Sequence, residues 1–370
     1  MTNGGPPIGQ NEPGDGRNID PEIGRLEGEA SEQQVPHRRA GTEGSAPFDV
    51  WKQMPSADGR RRGDVTYYDR PVLKEPTWIW SIPAYFYAGG AAGAAALLGA
   101  AAQIIDRDGL HGLVKRSRWI AAVGGALGTG FLIIDLGRPE RFLNMLRVFR
   151  PSSPMNVGSW ILSTMAPLAA GSAVLSGAGG LAGGAGDAAA LGAGLAGIPL
   201  SGYTAVLVSN TAVPVWQATR RSTPPLFMAS GVAAAAALLQ MMELSDKESR
   251  IVRRFAVAGA VAELASGVAV EREAGTVERV ARPLHEGTAG MLLKAAKGLT
   301  AAGLLLTLLP GRWRWKRFLA GCLGTAGAIA VKFGIFEAGK ASARDPRATF
   351  HQQRAGHGAA EVTGRAAARP

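Results

Sequence analysis

The sequence predicts an all-α integral membrane protein of eight transmembrane helices. Three observations carry that reading. Long apolar runs fill the middle of the chain, between polar segments at 1–70 and 341–370. Those tails dilute the whole to 46% hydrophobic residues and a mean hydropathy of only +0.06, but each run is long enough to cross a lipid core. The Lys and Arg behind the net charge of +11 gather at the ends of the apolar runs. Membrane flanks explain them better than nucleic acid does. Finally, the 51 glycines include small-xxx-small pairs that suit close helix packing in lipid.

Residues 1–70 are rich in Gly, Pro, Glu and Arg, lack hydrophobic periodicity and are expected to be disordered. No apolar stretch of signal-peptide type stands near Met1. Span one, 78–103, opens with Trp78, Trp80, Tyr85 and Tyr87. Two readings fit that cluster: an interfacial aromatic belt, or a wall for a flat ring ligand. Gly89 and Gly93 provide its helix-packing face. A basic loop carrying Arg107, Lys115, Arg116 and Arg118 leads to span two, 119–136, where Gly124 and Gly128 repeat that spacing.

A charged stretch then separates spans two and three. Gly137 suits a helix C-cap and Pro139 the first position of a new helix. From Pro139 to Phe149, the apolar Phe142, Met145, Leu146 and Phe149 share a face and Arg138, Glu140, Arg141 and Arg147 lie elsewhere. The pattern predicts an amphipathic helix in the membrane interface, ended by Pro151 and Pro154. Span three, 158–182, is uncharged. A Gly-rich turn around Asp187 precedes span four, 189–215, where Tyr203 and Asn210 share a face.

Span five, 226–244, echoes span one: Phe86/Phe227, Gly90/Gly231 and Leu97/Leu238 fall in register. The echo suits two related four-helix bundles, 71–221 and 222–340. Span six, 252–270, follows Lys247, Arg250, Arg253 and Arg254 and contains Glu263. A charged loop, 271–287, leads to span seven, 288–309. Arg312, Trp313, Arg314, Trp315, Lys316 and Arg317 mark an interface before span eight, 318–337, which contains Lys332 and Glu337. The tail beyond is polar and expected to be largely disordered.

Eight spans place both termini on one side. Trp80, Asp135, Arg138, Asn156, Trp160, Asn210, Trp216, Lys294, Lys332 and Glu337 then lie toward that side, with Tyr203 and Glu263 deeper. Ionisable groups inside a span are costly, at ~2.5–3.5 kcal/mol each near a helix centre. Their gathering fits a polar pocket or proton path; snorkelling cations and structural ion pairs are the other reading. Asp135 and Glu263 weigh most, because short carboxylates snorkel poorly. None of the five histidines lies deep in a span, so axial ligation of haem is not expected. Cys322 stands alone, which provides no set of thiolates for an iron–sulfur cluster or zinc.

Three motifs, D-L-G-R-P-E-R-F-L-N-M-L from Asp135, S-P-M-N-V-G-S-W from Ser153 and S-G-Y-T-A-V-L-V-S-N-T-A-V-P-V-W from Ser201, resemble the NrfD/PsrC-type, polysulfide reductase-like membrane subunits of quinone-linked oxidoreductases. The resemblance covers about 66–345 and implies an eight-helix fold of two four-helix bundles in the bacterial inner membrane. It also implies menaquinone or ubiquinone as substrate, with no haem or cluster in this chain. The implied partners are a ferredoxin-like iron–sulfur subunit and a molybdopterin catalytic subunit. The set most resembled accompanies formate-dehydrogenase-like subunits. The family's pocket lies near the start of the first helix and a fourth-helix tyrosine, which matches Tyr203. Polysulfide-reductase-type members place a histidine on the first helix, where this chain offers Trp78, Trp80, Ser81 and Tyr85. On this reading Tyr203 donates to a quinone oxygen and Asp135, held charged by Arg138, relays protons. Trp80, Tyr85, Asn156 and Asn210 are further candidates for quinone binding or proton relay, and Glu263 and Lys332 extend the path. The rival readings are a secondary transporter and a passive anchor.

Overall fold

The computed structural model describes residues 18–20, 25–27, 73–311 and 313–354. In the N-terminal unit, Met1–Asp64, strands β1 (Asn18–Asp20) and β2 (Arg25–Glu27) pair antiparallel with Ile19 opposite Leu26. The rest of the segment expected to be disordered lies outside the described residues, as do residues 355–370.

The second unit is helical. It comprises α1 (Ser81–Asp106), α2 (His111–Asp135), a 3₁₀ helix (Pro139–Leu146), α3 (Pro154–Val174) with a 3₁₀ turn (Leu175–Gly177), and α4 (Gly180–Ser209). There follow α5 (Pro214–Ala218), α6 (Thr223–Gln240), α7 (Asp246–Ala274), α8 (Glu278–His285), α9 (Gly287–Leu308), α10 (Arg314–Arg344) and α11 (Pro346–Arg354). Seven of these helices are long and apolar enough to cross a membrane: α1, α2, α3 with its 3₁₀ turn, α4, α6, α9 and α10. The chain is a multi-pass membrane protein. The expected span around Glu263 forms part of α7, whose charged ends keep it out of that set.

Local chemistry sets the helix ends. Gly137 adopts φ +64° just past α2, a conformation that costs glycine little. Pro154 occupies the first turn of α3, and the Ser153 hydroxyl accepts the Asn156 N–H at 3.4 Å. Ser245 and Glu248 form a reciprocal capping box at α7.

α1 packs on α2 and α4, and α3 packs on both α2 and α4. α6 packs on α7 and α10, and α9 packs on α10 and α7. α1 and α6 also pack on each other. In each, 72% of the apolar window is buried, against 22% in α9, so α1 and α6 form the centre. The sequence echo lies across this contact: Phe86 and Phe227 have ring centroids 5.7 Å apart, and a Cβ on Gly90 would lie 3.6 Å from the Gly231 Cα. Each residue meets its own counterpart, as in an interface about a two-fold axis. A Cβ on Gly93 would collide with the backbone carbonyl at Gly197, so α1 and α4 touch backbone to backbone.

The structure revises several expected boundaries. The amphipathic segment is a 3₁₀ helix ending at Leu146. With three residues per turn, Phe142 and Met145 eclipse each other and pack on the core. α4 begins at Gly180 and contains Asp187, which was expected in a turn. Asp187 tolerates a helix interior because the buried Arg118 reaches its Oδ1 at 2.6 Å and Arg107 its Oδ2 at 2.5 Å. Arg118 also donates to Gln103 Oε1 at 2.8 Å. These contacts tie α1, α2 and α4 together at one end. α4 stops at Ser209, and Trp216 sits on the separate α5. α10 runs on to Arg344, whose guanidinium makes two bonds to Glu75, at 2.6 and 2.7 Å.

Candidate functional site

The start of α1 and the end of α4 bring two tyrosines together. Tyr85 and Tyr203 join hydroxyl to hydroxyl, with their rings 6.3 Å apart between centroids. Glycines make room for both rings. The Tyr85 ring lies over Gly89 of its own helix and Gly128 of α2, where added Cβ atoms would stand 3.4 and 3.2 Å from it. Gly89 therefore seats a ring rather than a neighbouring helix. A Cβ on Gly158 of α3 would fall against the Tyr203 ring, 2.5 Å from Cδ2 and nearer to Cε2.

Tyr203 also forms part of the wall of an apolar cleft of about 460 Å³ between α3, α4 and α6. Pro151, Pro154, Val157 and Ile161 line one side, and Ile198, Pro199, Val206 and Met228 the other. The size and apolar lining suit a small flat ligand. Tyr85 is 1% exposed, whereas Tyr203 reaches the cleft. A hydroxyl pair holds two protons and uses only one in the mutual bond. When Tyr85 donates to Tyr203, the Tyr203 O–H is left free to donate to another acceptor.

The other expected site residues lie elsewhere. Asp135 ends α2, and its Oδ1 accepts the Ile79 N–H at 3.1 Å. Among the described residues it has no ion pair with Arg138, which is exposed. Trp80 is 59% exposed and packs edge-on against Phe131, 5.8 Å between centroids. Asn156 commits its whole amide to backbone. Its Nδ2 donates to the Met145 and Val148 carbonyls at 2.8 and 3.0 Å, and its Oδ1 accepts the Arg150 N–H at 2.6 Å. It clamps the end of the 3₁₀ segment to α3. Asn210 caps α4, donating to the Val206 carbonyl at 2.8 Å. Neither asparagine lines the cleft.

Glu263 and Lys332 form a second polar locus, buried to 3% and 1% exposure. Glu263 Oε1 accepts the Thr300 hydroxyl at 2.6 Å, and its Oε2 has no partner among the described residues. Lys332 donates to the Phe227 carbonyl at 3.1 Å and lies 3.7 Å from that residue's ring centroid. They do not form a direct ion pair. A cavity of about 30 Å³, room for one or two waters, reaches from Glu263 to Glu271 and Lys297, which pair with each other. The two loci are joined by rings: Tyr203, Tyr85, Phe86 and Phe227 follow one another at centroid distances of 6.3, 6.2 and 5.7 Å.

Sequence reasoning did not single out Gly158, Thr300 or the stack of Trp78 on the buried Trp216, 6.0 Å between centroids, and it read Phe227 only as the counterpart of Phe86. Gly158 had a signal, a glycine within the first turns of an otherwise apolar helix. Thr300 and Trp216 had none, because their partners lie on other helices. The family model described as polysulphide reductase, NrfD, matches residues 72–277, more than half of the chain. No curated protein matches the sequence.

Proposed function

The chain belongs to the polysulphide reductase NrfD family, and on that premise we propose that it is the quinone-binding membrane subunit of an oxidoreductase complex. In this reading it anchors an iron–sulfur subunit and a molybdopterin catalytic subunit, and electrons pass between them and menaquinone or ubiquinone in the bacterial inner membrane. The observation that carries the reading is the Tyr85–Tyr203 hydroxyl pair beside an apolar cleft. A quinone ring needs apolar walls and a hydrogen-bond donor to its carbonyl oxygen. The cleft supplies the walls and Tyr203 the donor. Tyr85 takes the place of a first-helix histidine and restores the proton that Tyr203 yields.

Two-electron reduction of a quinone takes up two protons, one on each oxygen. Tyr203 delivers one and takes the Tyr85 proton in its place; the proton that Tyr85 gives up, and the second one for the quinone, are supplied from the surface through Asp135. Asp135, partly exposed at the end of α2, takes protons from the membrane surface, with Trp80 covering that entrance. Glu263 and Lys332 serve a path through the second helix group, since a buried carboxylate with a free oxygen and an adjacent water-sized cavity is the chemistry of a proton relay. Arg138 keeps that surface positive, while Asn156 and Asn210 shape the backbone around the entrance.

The reading takes α7 as an eighth span, completing two four-helix bundles of α1–α4 and α6, α7, α9 and α10. α7 is 29 residues long, about 43 Å at 1.5 Å per residue. Its charges fall at 246–254 and 271–273, and 255–270 holds only Glu263. That central run spans about 24 Å, and snorkelling arginines cover the remainder of a core of about 30 Å.

The deciding experiment is Tyr203→Phe in the purified complex. Quinone-linked turnover should fall by roughly 100-fold, the scale of a lost proton donor, while turnover with a soluble artificial acceptor is unchanged. Undiminished quinone turnover would leave a passive anchor as the better reading.

A further inference from the structure

At the end of α6 opposite the tyrosine site, two basic runs of the sequence meet. The cavity between them is about 180 Å³, many times the roughly 10–15 Å³ that one water needs. Arg250 and Arg253 of α7 and Lys316 and Arg317 of α10 line it, with Asp246 the one carboxylate among the lining residues. Four cations against one acid give the cavity a net positive charge. The first turns of α7 and α10 open onto it as well, which adds the positive ends of two helix dipoles.

Three of the four cations donate to neutral groups. Arg317 Nη1 donates to Ser249 Oγ at 2.9 Å, and Arg253 Nη2 to the Leu308 carbonyl at 2.9 Å. Lys316, 7% exposed, donates to the Leu309 and Pro310 carbonyls at 2.5 and 3.1 Å. Arg317 Nε is buried with no acceptor among the described residues. A buried guanidinium N–H without a partner beside a polar cavity calls for an anionic acceptor.

The rim of the cavity selects the kind of anion. Trp313 and Trp315 are 66% and 58% exposed beside it, as in the aromatic belt at headgroup depth. Leu305, Leu308 and Phe318 expose apolar side chains on the adjoining helix faces. A positive hollow bordered by bare apolar helix surface fits an amphiphile with a negative head. We propose that this cavity binds the phosphodiester headgroup of an anionic phospholipid, whose acyl chains lie along α9 and α10. The proposal does not depend on the quinone reading.

The test is a titration of the full chain in detergent, read by native mass spectrometry. Phosphatidylglycerol, phosphatidylcholine with the same acyl chains, and inorganic phosphate form separate arms. The expected result is one retained phosphatidylglycerol, preferred over phosphatidylcholine by about tenfold or more. Arg250→Gln with Arg253→Gln should weaken it about 25-fold, at roughly fivefold per charge at a lipid surface. Arg254→Gln, an exposed neighbour outside the cavity, should weaken it no more than the roughly fivefold of a single charge at a lipid surface. Equal retention of the two lipids overturns the proposal without reference to any variant. So does an equal loss in Arg254→Gln, or phosphate binding as tightly as the lipid, which would mark a free-anion site.

Discussion

Gly158→Ala tests the tyrosine site through a residue that cannot bind a ligand itself. The added methyl would stand 2.5 Å from Tyr203 Cδ2 and closer to Cε2. Ordinary carbon contacts begin near 3.5 Å, so the ring must withdraw by at least about 1 Å. That movement breaks the hydroxyl bond to Tyr85, which is worth about 1 kcal/mol and leaves the 1%-exposed Tyr85 hydroxyl without its partner. Overpacking adds about 1–3 kcal/mol. Against these stands the preference of a helix for Ala over Gly, about 1 kcal/mol. The net destabilisation should be about 1–3 kcal/mol, with quinone-linked turnover falling as in Tyr203→Phe. The assay is a double-mutant cycle on thermal unfolding of the detergent-purified chain, with Tyr203→Ala as the second change. With the ring removed the methyl has space, so Gly158→Ala should become neutral or stabilising by up to about 1 kcal/mol. An equal penalty in both backgrounds, or none in the native one, would refute the steric argument.

Two further outcomes follow from ion pairs at the periphery of the helix groups. Arg118→Gln should destabilise the chain by about 1.5–3 kcal/mol, the scale of a lost hydrogen bond to a charged group, because Asp187 loses one of its two guanidinium partners and keeps Arg107; a thermal-unfolding shift smaller than that of the exposed Arg107→Gln would contradict it. Glu75, bonded to Arg344, has its carboxyl held below the ordinary value of 4.5 by that guanidinium. A depressed carboxylate stabilises fully above its unfolded-state value and loses that contribution as pH falls through the folded one. Glu75→Gln should therefore cost at most about 1 kcal/mol at pH 7, given how exposed the pair is. Its difference from wild type should shrink below pH 4.5, measured as unfolding temperature against pH.

Much of the fold was legible because hydropathy belongs to single residues summed along a helix. The apolar runs identified α1, α2, α3, α4, α6, α9 and α10 without knowledge of any contact. Proline and glycine marked the break between α2 and α3, where the backbone itself demands them. The same reasoning placed Asp187 in a turn, because a lone charge in a Gly- and Ala-rich stretch reads as a break until its partners are known. Arg107 and Arg118 lie on other helices, and only their approach neutralises it. Asn156 and Asn210 read as site residues because a polar amide near an apolar span has no visible partner in sequence. In the folded chain backbone carbonyls satisfy them, at Met145 and Val148 for Asn156 and one turn back at Val206 for Asn210.

The sequence by itself determined that the chain crosses the membrane, roughly where, and through its motifs which family it belongs to. It also singled out Tyr203, Glu263 and Lys332 as candidate site residues. Only the tertiary structure decided that Tyr85 is the partner of Tyr203, 118 residues away, and that a ring path connects them to Phe227 and Lys332. It alone brought the basic runs around Arg250 and Lys316 into one cavity. The physical reason is register. Which side chains of two packed helices meet depends on how closely and at what height the backbones approach. Here contacts such as Gly93 on Gly197 and Gly90 on Gly231 set that height, and no local property of either helix encodes it.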